Sequence, residues 1–125
     1  MLQDTYYTIV SRTDTAEESL FEIQMLGSHP VYQGHFPGNP VSPGVCNMQM
    51  IKELAEQLIG HEVMLDYVKQ YRLMEVLSPQ KTPQLSIHVS VEASEDAYTI
   101  RAAAYVADTQ AIDFKGEAHD YPKKP

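Results

Sequence analysis

One histidine stands at the start of the most proline-rich segment of this sequence, and that setting suits proton transfer next to a carbonyl group. Residues 35–45 begin with His35 and contain three prolines and two glycines. An imidazole takes up and releases protons near neutral pH, as a general base must. His35 is therefore the first candidate for a catalytic residue.

The end of the same segment offers backbone N–H groups for the carbonyl oxygen. Helical periodicity starts directly after Pro43, so Gly44 and Val45 fall in a first turn, where N–H groups have no partner within the helix. Gly44 has no side chain to keep a ligand from its amide, and Pro43 is compatible with a helix entrance. Such donors, helped by the helix dipole, stabilise negative charge on an oxygen when the neighbouring carbon loses a proton.

The elements that must position these residues follow from hydrophobic periodicity. Residues 45–59 repeat apolar side chains with helical spacing and end at Gly60, which is typical of a left-handed C-cap. The density of prolines and glycines predicts an irregular loop, without any regular element, between residues 29 and 44. Alternating or β-branched runs predict strands over residues 5–12, 21–25, 63–74, 85–92, 98–106 and 112–118.

The predicted helix has an apolar face, and Gln49, Glu53 and Glu56 fall on its opposite, polar face. One helix and several antiparallel strands predict an α+β fold in which a curved sheet wraps around the helix. The length of the chain predicts a single domain over residues 1–125. Because one helix leaves the sheet edges uncovered, we expect pairing between subunits in a homodimer or a higher homo-oligomer.

Composition excludes several classes of function. A net charge of −8 with scattered lysines and arginines is the opposite of a nucleic-acid-binding surface. Cys46 is the only cysteine, so an internal disulfide and a thiolate metal cluster are excluded, and we expect neither a metal nor a cofactor. The sequence has no apolar run of membrane-spanning length and no signal-peptide pattern, which predicts a cytoplasmic protein.

Residues 34–45 read Gly-His-Phe-Pro-Gly-Asn-Pro-Val-Ser-Pro-Gly-Val and run into an amphipathic helix. This motif resembles the signature of the hot-dog-fold 3-hydroxyacyl-(acyl-carrier-protein) dehydratases of fatty acid synthesis, and the resemblance covers residues 29–57. It implies a hot-dog fold, a curved antiparallel sheet around one central helix. Phe36, Pro37 and Pro43 would shape the loop that carries the histidine.

The resemblance also implies a role for each residue of the site. His35 would act on the proton at C2 of the acyl chain, and the amide of Gly44, with that of Val45, would bind the thioester carbonyl. An acidic residue from the other subunit would handle the departing hydroxyl, and its position corresponds to Gln49. The reaction would convert a 3-hydroxyacyl thioester of acyl carrier protein or coenzyme A into a trans-2-enoyl thioester, in fatty acid, polyene or related lipid biosynthesis.

Gln49 departs from that pattern, because an amide side chain neither takes up nor releases a proton at physiological pH. A positioned general acid contributes about 10²–10⁴-fold in rate, so its loss matters. His35 could move the proton alone while Gln49 orients the substrate, or Glu53 could supply the acid from one turn away. The chain could instead be a hot-dog acyl thioesterase, or a catalytically impaired subunit that binds an acyl carrier or an active partner.

An acyl carrier protein is acidic, so docking to this acidic chain requires a local basic surface. Lys69, Arg72, Lys81 and Arg101 are the residues available to form one. If they do not cluster, a coenzyme A thioester is an equally suitable substrate.

Overall fold

A computed structural model describes residues 1–34 and 41–122. Its elements, in chain order, are β1 (Tyr7–Asp14), β2 (Ser19–Met25), α1 (Val31–Gly34), α2 (Gly44–Ile59), β3 (Val63–Leu73), β4 (Gln84–Ala93), β5 (Tyr98–Val106) and β6 (Thr109–Asp120). The strands form one six-stranded sheet in the order β1-β2-β4-β5-β6-β3, and every neighbouring pair is antiparallel. The predicted α+β arrangement is confirmed.

The centre of the sheet buries one face against α2. Strands β2 and β4 alternate buried and partly exposed residues, and their register pairs Phe21 with Ile87 and Ile23 with Leu85. Side chains of α2 that are fully buried complete this core: Met50, Ile51, Leu54 and Ala55. The period-2 pattern of the strands and the 3.6-residue pattern of the helix therefore meet at one apolar layer.

Helix α2 has the ends that its sequence predicts. Pro43 occupies the N-cap position in an extended conformation, with φ −67° and ψ 143°. At the other end, Gly60 adopts a left-handed conformation with φ 97°, and its N–H donates to the carbonyl oxygen of Glu56 at 2.8 Å. A residue without a Cβ adopts this conformation without steric penalty, which explains the stop after Ile59.

The prediction of an entirely irregular loop over residues 29–44 is wrong for Val31–Gly34, which form the single helical turn α1. This turn begins directly after Pro30, and its four residues contain no proline, so the prolines do not interrupt it. The N–H of Tyr32 donates to the carbonyl of His29 at 3.2 Å. The following residues, 35–40, lie outside the described residues, and they include three predicted site residues: His35, Phe36 and Pro37.

Glu53, which the helical pattern places on the polar face of α2, is nevertheless buried, with only 4% of its surface exposed. The residues before β1 lie over this side of α2, and the backbone N–H groups of Leu2 and Gln3 donate to the Glu53 carboxylate. A buried carboxylate is retained when several donors compensate its lost hydration. Helical periodicity alone gives no sign of this cover, because it comes from about fifty positions earlier in the chain.

Strand β3 forms one edge of the sheet. It pairs with β6 along its length, and within the described residues no strand lies on its other side. Several large apolar side chains of β3 are exposed: Met64, Tyr67, Val68 and Leu73. The described residues contain no helix long and apolar enough to cross a membrane.

Candidate functional site

Gln49 is held by a buried carboxylate. Its side-chain Nε2 donates a hydrogen bond of 2.8 Å to Oε2 of Glu53, one turn further along α2. The same Oε2 accepts from the N–H of Leu2 at 2.7 Å. The other oxygen, Oε1, accepts from the N–H of Gln3 at 3.0 Å and from the Tyr7 hydroxyl at 3.0 Å. Glu53 is therefore an anchor for two backbone amides and two side chains.

This anchor fixes which atom Gln49 presents to a ligand. An ionised carboxylate only accepts hydrogen bonds, so the amide nitrogen of Gln49 must face Glu53, and the amide oxygen Oε1 is left for other partners. Gln49 therefore offers an acceptor for a hydroxyl or amide donor. The four donors around Glu53 and its burial argue against Glu53 as a replacement acid, since proton transfer needs contact with the substrate.

Burial and the Glu53 carboxylate also change the pKa of Tyr7. The pKa of its phenol is raised, first by burial and then by the negative charge of Glu53. Both effects disfavour a phenolate, so the hydroxyl stays protonated and remains a donor to Glu53.

An open groove of about 330 Å³ lies between the first half of α2 and strand β3. Its lining includes Val45, Met48, Gln49 and Lys52 from the helix, and Met64 and Val68 from the strand. The helical residues at positions 45, 49 and 52 share one face because they are separated by three or four residues. Apolar walls from Val45, Met48, Met64 and Val68 beside the amide of Gln49 suit an acyl chain that bears a hydroxyl.

Gly44 begins α2 next to an aromatic ring. A side-chain carbon placed on Gly44 would lie 3.6 Å from Cε1 of Tyr71 and 3.8 Å from its hydroxyl oxygen, which is ordinary van der Waals contact. Its φ is not in the left-handed region either. Packing among the described residues therefore does not require a glycine here, which favours the interpretation that Gly44 leaves its amide open to a ligand.

A buried polar network, which the sequence analysis missed, lies behind this glycine. Asn47 is fully buried within α2, and its Oδ1 accepts from the Tyr6 hydroxyl at 2.7 Å. Its Nδ2 donates to the Tyr71 hydroxyl at 3.3 Å. An asparagine inside a helix has low intrinsic preference for that position, and this was the available signal in the sequence.

The network continues to both sides of the segment 35–40. The hydroxyl groups of Tyr32 and Ser42 lie 3.1 Å apart in a hydrogen bond, and the rings of Tyr6 and Tyr32 stack with their centroids 5.9 Å apart. Burial raises the pKa of Tyr6 above its ordinary value, so this phenol is neutral. The chain is therefore tied together directly before and after the residues that contain His35.

The structure thus brings together part of the predicted site. Gly44, Val45 and Gln49 lie along the first half of α2, with Pro43 at its N-cap, and Val45 and Gln49 line the groove. His35 falls outside the described residues.

Burial raises the pKa of the Cys46 thiol, which agrees with a packing role for that cysteine. In the described part of the chain, no group of three or more His, Cys, Asp or Glu side chains is placed to hold a metal ion.

Two of the four basic residues named from the sequence lie together. Lys69 on β3 and Arg101 on β5 flank Lys115 on β6, and all three border one small depression on the sheet, which Glu92 and Glu117 also line. The pKa of Lys115 is lowered by the positive charge of Arg101 first and then by that of Lys69. These three residues, called the basic cluster below, therefore repel one another within a chain of net negative charge.

The sequence model of the ApeI-like dehydratases matches residues 11–111. The chain belongs to the ApeI-like dehydratase family. Two curated relatives of this family member are named 3-hydroxyacyl-(acyl-carrier-protein) dehydratase FabZ. The protein from Levilactobacillus brevis is 31% identical over 87 residues, which are 64% of this chain and 58% of that protein. The protein from Lactiplantibacillus plantarum is 28% identical over 110 residues, 82% of this chain and 67% of that protein.

Solved structures confirm the predicted hot-dog fold for this ApeI-like chain. A chain of the dehydratase heterocomplex ApeI:P from Xenorhabdus doucetiae matches with a TM-score of 0.71 and 18% identity, over 89% of this chain and 96% of that one. The protein BH2602 from Bacillus halodurans, solved with CoA, matches with a TM-score of 0.62 and 7% identity, over 92% of this chain and 76% of that one. At these identities the likeness concerns the fold.

Proposed function

We propose that this ApeI-like protein removes water from a 3-hydroxyacyl thioester and forms the trans-2-enoyl thioester. The observation that carries the proposal is the placement of Gly44 and Gln49 on the first turns of α2, with Gln49 beside an apolar groove. This spacing puts a donor for the thioester carbonyl and an acceptor for the 3-hydroxyl on the same helix. The family and the FabZ relatives support the same reaction.

In this mechanism His35 takes the proton from C2. The electrons of the C–H bond form the C2–C3 double bond, and the charge that develops on the carbonyl oxygen is stabilised by the N–H of Gly44, with that of Val45. The C3–O bond breaks, and the proton on His35 passes to the departing hydroxyl, which leaves as water. The amide oxygen of Gln49 accepts a hydrogen bond from that hydroxyl in the substrate and so orients it. No cofactor is consumed.

We also propose that the complete site lies between two subunits. The groove beside Gln49 is bounded by β3, whose outer edge and apolar side chains are exposed. A second strand along β3 would pair that edge and close the groove. The partner is a second copy of this chain or a related subunit. The Xenorhabdus neighbour, described as a heterocomplex, supports the latter.

The thioester carrier in this proposal is acyl carrier protein or coenzyme A. The FabZ relatives carry acyl carrier protein in their name, and the Bacillus neighbour was solved with CoA. The basic cluster supplies positive charge for either anionic carrier, with Lys69 and Arg101 from the predicted set and Lys115 between them. A cytoplasmic role in fatty acid, polyene or related lipid synthesis is part of the same proposal.

A second function is favoured by one observation. The side chain of Gln49 cannot act as a general acid. Glu53 beside it is buried, and both of its carboxylate oxygens accept hydrogen bonds within the protein. A chain of this kind could serve as a binding subunit whose partner supplies the acid, in a mixed complex. In that case the purified chain would bind acyl thioesters and turn none of them over.

Turnover of a panel of 3-hydroxyacyl pantetheine thioesters distinguishes these functions. Enoyl formation and release of free thiol are followed separately for the wild type, His35→Ala and a matched control, His29→Ala. We expect the wild type to form enoyl product without free thiol, and His35→Ala to lose about 10²–10⁴-fold of that rate, because the base is gone. His29→Ala should retain most of it.

Three other outcomes would contradict the dehydratase proposal or the role of His35 in it. Release of thiol without enoyl product would identify a thioesterase. Equal loss in both histidine variants would remove the base role of His35. Binding without turnover would favour the binding subunit.

A further inference from the structure

Tyr71 places a phenol beside the residue proposed to hold the thioester carbonyl. Its hydroxyl oxygen lies 3.8 Å from the position that a Gly44 side-chain carbon would occupy. The ring packs partly buried against the core, and the residue lies near the C-terminal end of β3. The hydroxyl therefore borders the same start of α2 as the amide of Gly44.

The buried residues Tyr6 and Asn47 set the orientation of the Tyr71 hydroxyl. The Tyr6 hydroxyl donates to Oδ1 of Asn47 at 2.7 Å, which leaves the Asn47 amide nitrogen to donate to Tyr71 at 3.3 Å. Because the oxygen of Tyr71 already accepts from Asn47, its own proton points to another acceptor. Among residues 1–34 and 41–122, no protein acceptor takes that proton.

We propose that the Tyr71 hydroxyl is a second hydrogen-bond donor to the carbonyl oxygen of the bound acyl thioester, alongside the N–H of Gly44. The proposal rests on the proposed function in one respect, that the ligand is an acyl thioester bound at the start of α2. It does not require that the purified chain turn the ligand over. No proton is transferred from Tyr71; the phenol donates a hydrogen bond and keeps its proton throughout.

Two further features support this role. Burial raises the pKa of Tyr71 above its ordinary value, so the phenol keeps its proton throughout the physiological range. Packing alone would need only the ring, since a phenylalanine fills the same space. What packing leaves unexplained is a hydroxyl that a fully buried asparagine orients from one side.

The test compares two ligands in a His35→Ala background, where the thioester is not consumed. One ligand is a 3-hydroxyacyl pantetheine thioester, and the other is the thioether in which CH₂ replaces the carbonyl. Tyr71→Phe is expected to weaken thioester binding by about 3- to 10-fold, the effect of one hydrogen bond, and to leave thioether binding unchanged. Tyr67→Phe, which removes an exposed phenol from the same strand, serves as the control.

Infrared spectra of the ¹³C-labelled carbonyl give an independent readout. Hydrogen bonds lower the carbonyl stretching frequency, so the band of the bound thioester should move to higher frequency in Tyr71→Phe and not in Tyr67→Phe. Asn47→Asp should have the same effect, because a carboxylate would accept the Tyr71 proton and turn it away from the ligand. If Tyr71→Phe does not fold, the carbonyl band of Asn47→Asp tests the same hydrogen bond.

The outcomes separate this proposal from the proposed function. Equal loss of binding for thioester and thioether, or an unchanged carbonyl band in Tyr71→Phe, overturns the role of Tyr71 alone. Failure of every variant and of the parent protein to bind the thioester overturns both proposals together.

Discussion

At the scale of single residues, the proposed site depends on one pair of side chains, Gln49 and Glu53. Their hydrogen bond of 2.8 Å joins a groove-lining amide to a carboxylate that also holds the start of the chain. The amide is therefore a fixed acceptor toward the ligand. A carboxyl group at position 49 would instead lie at hydrogen-bond distance from the Glu53 carboxylate, so two acidic groups would be in contact.

The substitution Gln49→Glu tests this pair. Two carboxyl groups in contact cannot both ionise easily, so they share a proton, and the pKa of the pair is raised. The variant would then hold a proton at the groove near neutral pH. We expect faster enoyl formation, toward the about 10²-fold that a positioned acid contributes. Because the folded-state pKa is raised, the gained rate and part of the stability are lost as pH increases through it.

The measurement is the pH profile of enoyl formation and of the urea midpoint for Gln49→Glu. Gln57→Glu places the same charge on an exposed position of α2 and should alter neither profile. An unchanged rate at all pH values would show that position 49 does not reach the departing hydroxyl.

At the scale of elements, the extent of α2 is set by the residues at its two ends, Pro43 at the N-cap and Gly60 at the C-cap. Gly60 is the C-cap with φ 97°, and apart from its own chain neighbours no atom of residues 1–34 and 41–122 lies within 4 Å of the place where its side chain would be. A side chain there costs free energy through the backbone alone, since the surrounding space is open.

Gly60→Ala is therefore expected to lower the free energy of unfolding by about 1–2 kcal/mol. Urea denaturation, with midpoint and slope compared with the wild type, measures the effect. Gly27→Ala is the control, because Gly27 is not in the left-handed region and the new methyl group would meet Pro79 at 3.4 Å, an ordinary contact. If both alanine variants unfold at the same urea concentration as the wild type, the left-handed cap contributes nothing.

The elements also show which features the sequence could predict. Helix α2 and the strands β2, β4, β5 and β6 were recognisable because periodicity is local to each segment. The burial of Glu53 was not predictable, because its partners at Leu2 and Gln3 come from a distant segment. The network of Tyr6, Asn47 and Tyr71 depends likewise on contacts across the fold. Gly44 was signalled by its place at the helix start, and Gln49 only by the motif.

At the scale of the whole molecule, the two sheet edges differ. Strand β3 ends the sheet on the side of the groove, with Met64 and Val68 at its surface and also in the groove lining. Strand β1 ends the other side, where Val10 is 67% exposed. The position of the groove favours β3 as the edge for the proposed second subunit.

Val68→Lys is expected to dissociate the proposed dimer, because a buried unpaired ammonium group between two apolar surfaces is strongly unfavourable. Sedimentation velocity would show a dimer for the wild type and a monomer for this variant. Val10→Lys makes the same change on β1 and should leave the dimer intact. A wild type that sediments as a monomer, or equal dissociation in both variants, would place the interface elsewhere or remove it.

When an edge strand is paired only by a second subunit, the stability of the fold depends on protein concentration. If β3 is paired only in the dimer, every midpoint of unfolding rises with total protein concentration, since association stabilises the folded state. Dilution then separates the two walls of the groove and lowers the rate per subunit, even though the substrate concentration is unchanged. In the proposed dimer, the concentration of the protein therefore sets both its stability and its specific activity.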